Sequence, residues 1–182
     1  MSMVLLPTDV VGIEADVFIE TGSAQGGTVA QMVDLFGEIH TIEWDPGNHE
    51  ACARNFSGRH HVHCHLGSSP DVLPRVMDRA RKTLFFLDAH YRSLGRHEMD
   101  PARGECPLLA ELAAITAVDW ASPPMIIIDD AHEFAGGRSP AFDPAQWPTL
   151  DQIRAATPAH DLTIRNDMIY CTPRATPPRE ED

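Results

Sequence analysis

The sequence predicts an α/β fold: a doubly wound, mostly parallel sheet of seven strands that closes with a C-terminal antiparallel hairpin. Three observations predict it. Short β-rich runs alternate with segments of helical spacing almost from the start. Two runs, Leu84-Phe85-Phe86-Leu87 and Met125-Ile126-Ile127-Ile128, are apolar throughout, as central parallel strands covered on both faces must be. Near the end, two β-rich runs flank Asn166-Asp167, a pair suited to a tight hairpin turn.

Taken in order, the first strand is expected over Asp16–Glu20. A glycine-rich turn leads into a helix over Thr28–Phe36, where Gly37 supplies a stop. Ile39–Glu43 reads as the second strand, and Asn48–Phe56 as the second helix, closed by Ser57-Gly58. His61–Leu66 alternates polar and apolar residues and reads as a third strand. Ser69-Pro70 opens a third helix with a capping residue before a proline. Thr83–Asp88 is the fourth strand, Cys106–Ile115 an amphipathic helix, and Met125–Asp130 the fifth strand. A last helix is expected over Trp147–Ala156, with Pro148 in its first turn, before the hairpin strands Asp161–Arg165 and Met168–Cys171.

The chain has 182 residues, enough for one domain with one sizeable core. Residues 1–172 are assigned to that domain, and the Pro-, Arg- and Glu-rich stretch 173–182 is expected to be a disordered tail. No signal peptide and no membrane-spanning tract is recognisable. The four cysteines form no C-x-x-C pair and read as reduced thiols of a cytoplasmic protein. A formal net charge of −13 makes nucleic acid and anionic membrane poor partners. The basic segment Arg75–Lys82 contains an acid and reads as a solvated helix end.

In a doubly wound sheet, ligands bind outside the carboxyl ends of the strands. Acids recur at those ends: Glu20, Glu43, Asp88, Asp129 and Asp130. The first turn reads Glu20-Thr21-Gly22-Ser23-Ala24-Gln25-Gly26-Gly27-Thr28, with glycines spaced acid-x-G-x-x-x-G. This spacing disfavours a nicotinamide fingerprint, which reads G-x-G-x-x-G. By itself, such a turn could serve chain reversal alone. Glu43 closes the second strand at about the distance where nucleotide-binding folds place a ribose-binding acid.

These residues resemble the first motif of the class I S-adenosylmethionine-dependent methyltransferases, whose usual form is acid-x-G-x-G-x-G. Here Ala24 stands at the middle glycine. The resemblance covers residues 16 to 171 and implies a Rossmann-like fold. It implies that Glu20 lies near the methionine amino group, and that Gly22, Ser23, Gln25 and Gly26 cradle the methionyl part. It further implies that Glu43 accepts the ribose hydroxyls and that Ser68 stands where the adenine edge is read. Trp44 is expected either to pack on adenine or to join the core.

Asp88, Asp129 and Asp130 end adjacent parallel strands, so their carboxylates are expected to converge, where a hard divalent cation such as Mg²⁺ would relieve their repulsion. The arrangement resembles the metal-dependent O-methyltransferases of the macrocin and aminocoumarin-sugar type. That resemblance implies metal ligation by all three acids, with Asp88 also beside the cofactor. His90, His132 and Asp88 are the candidate bases for removing a substrate hydroxyl proton. His61, His63 and His65 are expected to share one face of the edge strand, as a solvated polar face or a metal patch. Residues 92–105 and 133–146 are candidate lid loops. With a short region before Asp16, a small-molecule substrate is expected to be covered by loops or by a homodimer partner, or to bind in an open site.

Three functions stay open: a metal-assisted O-methyltransferase, a binding or regulatory domain of the same fold without transfer activity, and a metal-dependent hydrolase using the acidic cluster.

Overall fold

A computed structural model describes residues 5–90, 104–137 and 143–175. Five strands pair in parallel: β1 (Val17–Thr21), β2 (Glu38–Glu43), β3 (Val62–Leu66), β4 (Thr83–Leu87) and β5 (Met125–Ile128). Two more, β6 (His160–Arg165) and β7 (Met168–Pro173), form the antiparallel hairpin. The sheet order is β3-β2-β1-β4-β5-β7-β6, with β7 antiparallel to β5. This is the doubly wound, mostly parallel seven-stranded sheet the sequence predicts.

The helices are α1 (Gly27–Met32), α2 (Pro46–Asn55), α3 (Ser69–Val76), α4 (Leu108–Thr116), α5 (Ala131–Phe134) and α6 (Leu150–Ala156). Two apolar layers sandwich the sheet. On one face Phe18, Ile39, Leu84, Phe86 and Ile127 meet Val29 and Met32 of α1, with Phe36 beyond it and Phe56 after α2. On the other, Ile19, Ile42, Phe85, Leu87, Ile126 and Ile128 meet α3, α4 and α6. Alternate residues of β4 and β5 therefore feed opposite layers, which is why both runs are apolar throughout. Each fully buried Phe or Ile side chain stabilises the fold by about 1.5–3 kcal/mol.

Some boundaries differ from expectation, for local reasons. α6 starts at Leu150, not Trp147, because Thr149 caps it reciprocally with Gln152. Trp147 is instead buried against Phe134, with ring centroids 5.6 Å apart. The four-residue α5 was not expected; it is too short for helical periodicity to register. β4 and β5 end before Asp88 and Asp129, so both acids lie just past the sheet. β3 begins at Val62, leaving His61 outside it. β7 runs to Pro173, past the expected domain end, and Arg174 binds Asp161 and the Pro158 carbonyl. Residues 176–182 of the expected tail lie outside the described residues, as do 92–103 and 138–142 of the two candidate lids. Among the described residues no helix is long and apolar enough to cross a membrane.

A candidate active site at the carboxyl ends of the strands

The turn after β1 is built by close approach. Gly22 adopts φ +83°, and a Cβ there would fall 2.3 Å from the Asp88 carbonyl oxygen. Its N–H donates to the Ile42 carbonyl (2.9 Å), and Asp88 N–H donates to Thr21 (3.0 Å). The turn is thus pressed between the ends of β2 and β4, so Gly22 is required by the packing of three strand ends. Ala24, at the middle-glycine position, is left-handed at φ 45°. That conformation costs a non-glycine residue about 1–2 kcal/mol.

The Ala24 N–H donates to Glu43 Oε2 at 2.7 Å, and the Asp45 N–H donates to Glu43 Oε1 at 2.8 Å. Glu43 therefore ties the first turn to the second. Each carboxylate oxygen still has acceptor capacity. Burial raises its pKa above the usual carboxylate range. Trp44 beside it is 42% exposed, which excludes the core-packing alternative. Gly26, φ +87°, precedes α1 and lies so close to Phe56 that a Cβ would fall 2.4 Å from its ring. Gln25 is exposed, and its carbonyl accepts from Asn55. Ser68 heads α3 without a side-chain cap bond.

Glu20 is buried beneath this turn, not open to it. Its carboxylate accepts from Thr41 Oγ1 at 2.5 Å, and the Ser23 hydroxyl contacts the same Thr41 oxygen. Burial pushes its pKa up to about 7 against the opposing Thr41 and Thr28 hydrogen bonds. Ser23 is likewise engaged inward, 4% exposed.

A second constellation lies past β4 and β5. The His90 side chain is buried, with Nε2 2.9 Å from Asp130 Oδ2 and Nδ1 3.7 Å from Asp88 Oδ1. The Trp147 and Phe134 rings wall it in, at 5.3 and 6.4 Å between centroids. Asp130 sits in a left-handed conformation at the start of α5. Donor atoms of Asp88, His90 and Asp130 all lie within 4.8 Å of one another, and those of Asp130, His132 and Asp167 form a second such group. Asp129 is buried and belongs to neither group. The convergence expected of three acids is realised by two of them and a histidine, a set that fits a divalent cation and, through the imidazole, a transition metal.

His132 is half exposed. Its Nδ1 lies 2.6 Å from Asp167 Oδ2 and its Nε2 3.3 Å from Glu133 Oε1. Sequence reasoning missed Asp167. The available signal was the pairing of the hairpin with β5, which brings the Asn166-Asp167 turn beside the strand end. It also missed Glu111, a buried acid of α4 that accepts from Ser69 Oγ at 2.5 Å and is raised in pKa by burial. No pattern in an amphipathic helix marks such a residue.

The expected trio of His61, His63 and His65 does not form. His61 turns to the Val33 carbonyl, and His40 of β2 takes its place, stacked on His63 and with Nδ1 3.0 Å from His65 Nε2. Volume does not mark the site either. A cavity of about 400 Å³ opens at the amino ends of the strands, lined by Ile13, Lys82, Thr83, Met125, Arg165 and Tyr170. None of the acidic strand ends faces it, and the convergent chemistry lies at the opposite edge, where doubly wound folds bind ligands.

No protein-family model matches the sequence, and no curated protein matches it. Solved structures do. A Podospora anserina methyltransferase with bound SAH is 14% identical, with a TM-score of 0.63, over 88% of this chain and 72% of its own. A putative O-methyltransferase from Klebsiella pneumoniae is 17% identical, with a TM-score of 0.60, over 91% and 76%. SAM-bound CalS10, an amino pentose methyltransferase from Micromonospora echinaspora, is 10% identical, with a TM-score of 0.53, over 88% and 84%. Sheet order, closing hairpin and these likenesses agree: the chain has the fold of the class I S-adenosylmethionine-dependent methyltransferases.

Proposed function

We propose that the protein is an S-adenosylmethionine-dependent methyltransferase that O-methylates a small hydroxylated molecule with the help of a divalent cation. The observation that carries this reading is the clasp of Glu43 on the first turn, with Trp44 exposed beside it. It is supported by SAM- or SAH-bound neighbours of the same fold and by O-methyltransferases among them.

The cofactor would supply an electrophilic methyl group. Glu43 would accept the ribose hydroxyls, and Trp44 offers a flat apolar surface to adenine. A cation would be held by Asp88, His90 and Asp130 and would lend Lewis acidity to the acceptor hydroxyl. The His90 side chain is buried and engaged by Asp130, whereas His132, paired with Asp167 and Glu133, is half exposed. His132 is therefore the group assigned to take the hydroxyl proton, with Asp167 fixing its ring.

Calorimetric titration with S-adenosylhomocysteine, with and without Mg²⁺ or Mn²⁺, tests the reading. Micromolar binding is expected, weakened at least tenfold by Glu43→Ala. No heat in any run removes the proposal. Cofactor binding without methyl transfer to any of a panel of phenols, catechols and sugars would point to a binding domain. Cation binding without cofactor affinity would point to a hydrolase.

A further inference from the structure

The four cysteines, unremarkable in spacing, are not equivalent in space. Cys52 lies in α2 and Cys64 in β3, twelve residues apart, and their sulfurs are 3.6 Å from one another. The β2–α2–β3 crossover produces this contact: Cys64 pairs with Thr41 on β2 and faces the layer that α2 covers. Cys52 is fully buried, and Cys64 is partly accessible.

We propose that Cys52 and Cys64 form a reversible disulfide on exposure to a hydroperoxide, making the second crossover a redox modification site. A disulfide needs sulfurs about 2.05 Å apart, so closure asks for about 1.5 Å of approach. One end of the pair lies in a helix and the other in β3, the edge of the sheet among the described residues, so the movement does not have to break the central sheet.

The roles of the two sulfurs differ. The contact between the two sulfurs raises the Cys52 pKa and lowers that of Cys64, and burial, with the Glu20 and Glu43 carboxylates, pushes Cys52 further up. Cys64, the accessible partner, is therefore the attacking thiolate. Its sulfur attacks one peroxide oxygen, the O–O bond breaks, and the remaining oxygen leaves as alcohol or water. Cys64 becomes a sulfenic acid. The Cys52 sulfur then attacks the Cys64 sulfur, the S–O bond breaks, and the Cys52 proton departs with the hydroxide as water. Two electrons pass from the sulfurs to the peroxide.

The bridge would be felt at the first turn. The Cys52 sulfur is the second-closest atom to where a Gly26 side chain would begin, at 3.1 Å. Drawing Cys52 toward β3 would shift the wall behind Gly26 and α1. This coupling rests on the cofactor reading above; the bridge does not.

The test is treatment of the full chain with a small excess of hydrogen peroxide, followed by intact-mass measurement, thiol counting and peptide mapping. A loss of 2 Da, two thiols remaining of four, a Cys52–Cys64 linked peptide and recovery with dithiothreitol are expected. Cys52→Ser should leave Cys64 as a sulfenic acid trapped by dimedone. Four free thiols after treatment, or a link through Cys106 or Cys171, overturns the proposal. S-adenosylhomocysteine affinity should fall at least threefold in the bridged form. An unchanged affinity in a chain that does bridge removes only the coupling.

Discussion

Glu20 is a carboxylic acid inside the fold whose pKa is pushed up to about 7. The unfolded chain releases its proton near the ordinary glutamate value, and the folded chain holds it longer. Its contribution to stability is therefore fully present below about pH 4.3 and is lost as pH rises toward 7. Glu20→Gln should flatten that part of the pH–stability curve and narrow the gap to wild type above pH 7, an effect on the order of 3 kcal/mol at full desolvation. Urea titrations at pH 5 and pH 8 check this; parallel curves for the two proteins would refute it. The residue scale also marks where reading the sequence stopped. Glu20, Glu43, Asp88 and Asp130 were legible as acids at strand ends, because strand ends follow from hydrophobic pattern. Which way each side chain turns was not. Glu20 turns inward to Thr41, and His90 completes a group in which Asp129 takes no part. Those outcomes depend on single dihedral angles, among them the left-handed Asp130.

At the scale of elements, strands and long helices were legible because burial on one or both faces leaves a period in the sequence. Ends were less so. Trp147-Pro148 looked like a helix start, yet Thr149 and Gln152 supply the stronger reciprocal cap. α5 has four residues, shorter than a period can reveal. The sharpest element-level constraint is the turn after β1. Gly22→Ala would place a methyl group 2.3 Å from the Asp88 carbonyl oxygen at a φ that L-residues disfavour. A loss of about 2–4 kcal/mol is expected, from overpacking plus strain. Equilibrium denaturation measures it, and a loss below about 0.5 kcal/mol would mean that the β1 and β4 ends can move apart freely.

At the scale of the whole molecule, the sheet order was legible because alternation of strands and helices permits few right-handed, unknotted windings. The site was only half legible, since it gathers groups from β2, β4, β5 and the hairpin turn that no local pattern connects. Charge acts at this scale too. With a formal net charge of −13, the folded chain repels itself. Raising NaCl from 0.1 to 1 M shortens the screening length from about 10 to about 3 Å. Tm should rise by about 2–4 °C, the shift that roughly 1 kcal/mol produces in a domain of this size. A scanning-calorimetry series that is flat or falling with salt would mean that repulsion does not limit stability.

One feature of the winding reaches into how the molecule is made. β7, made after the other six strands, does not lie at the margin: it slots between β5 and β6 and brings Asp167 against His132. A nascent chain halted at Arg165 would have β5 unzipped along one side, β6 with no neighbour to join, and the proposed proton acceptor untethered. Completing the sheet therefore takes an insertion: β5 stays open-edged until β7 has been made.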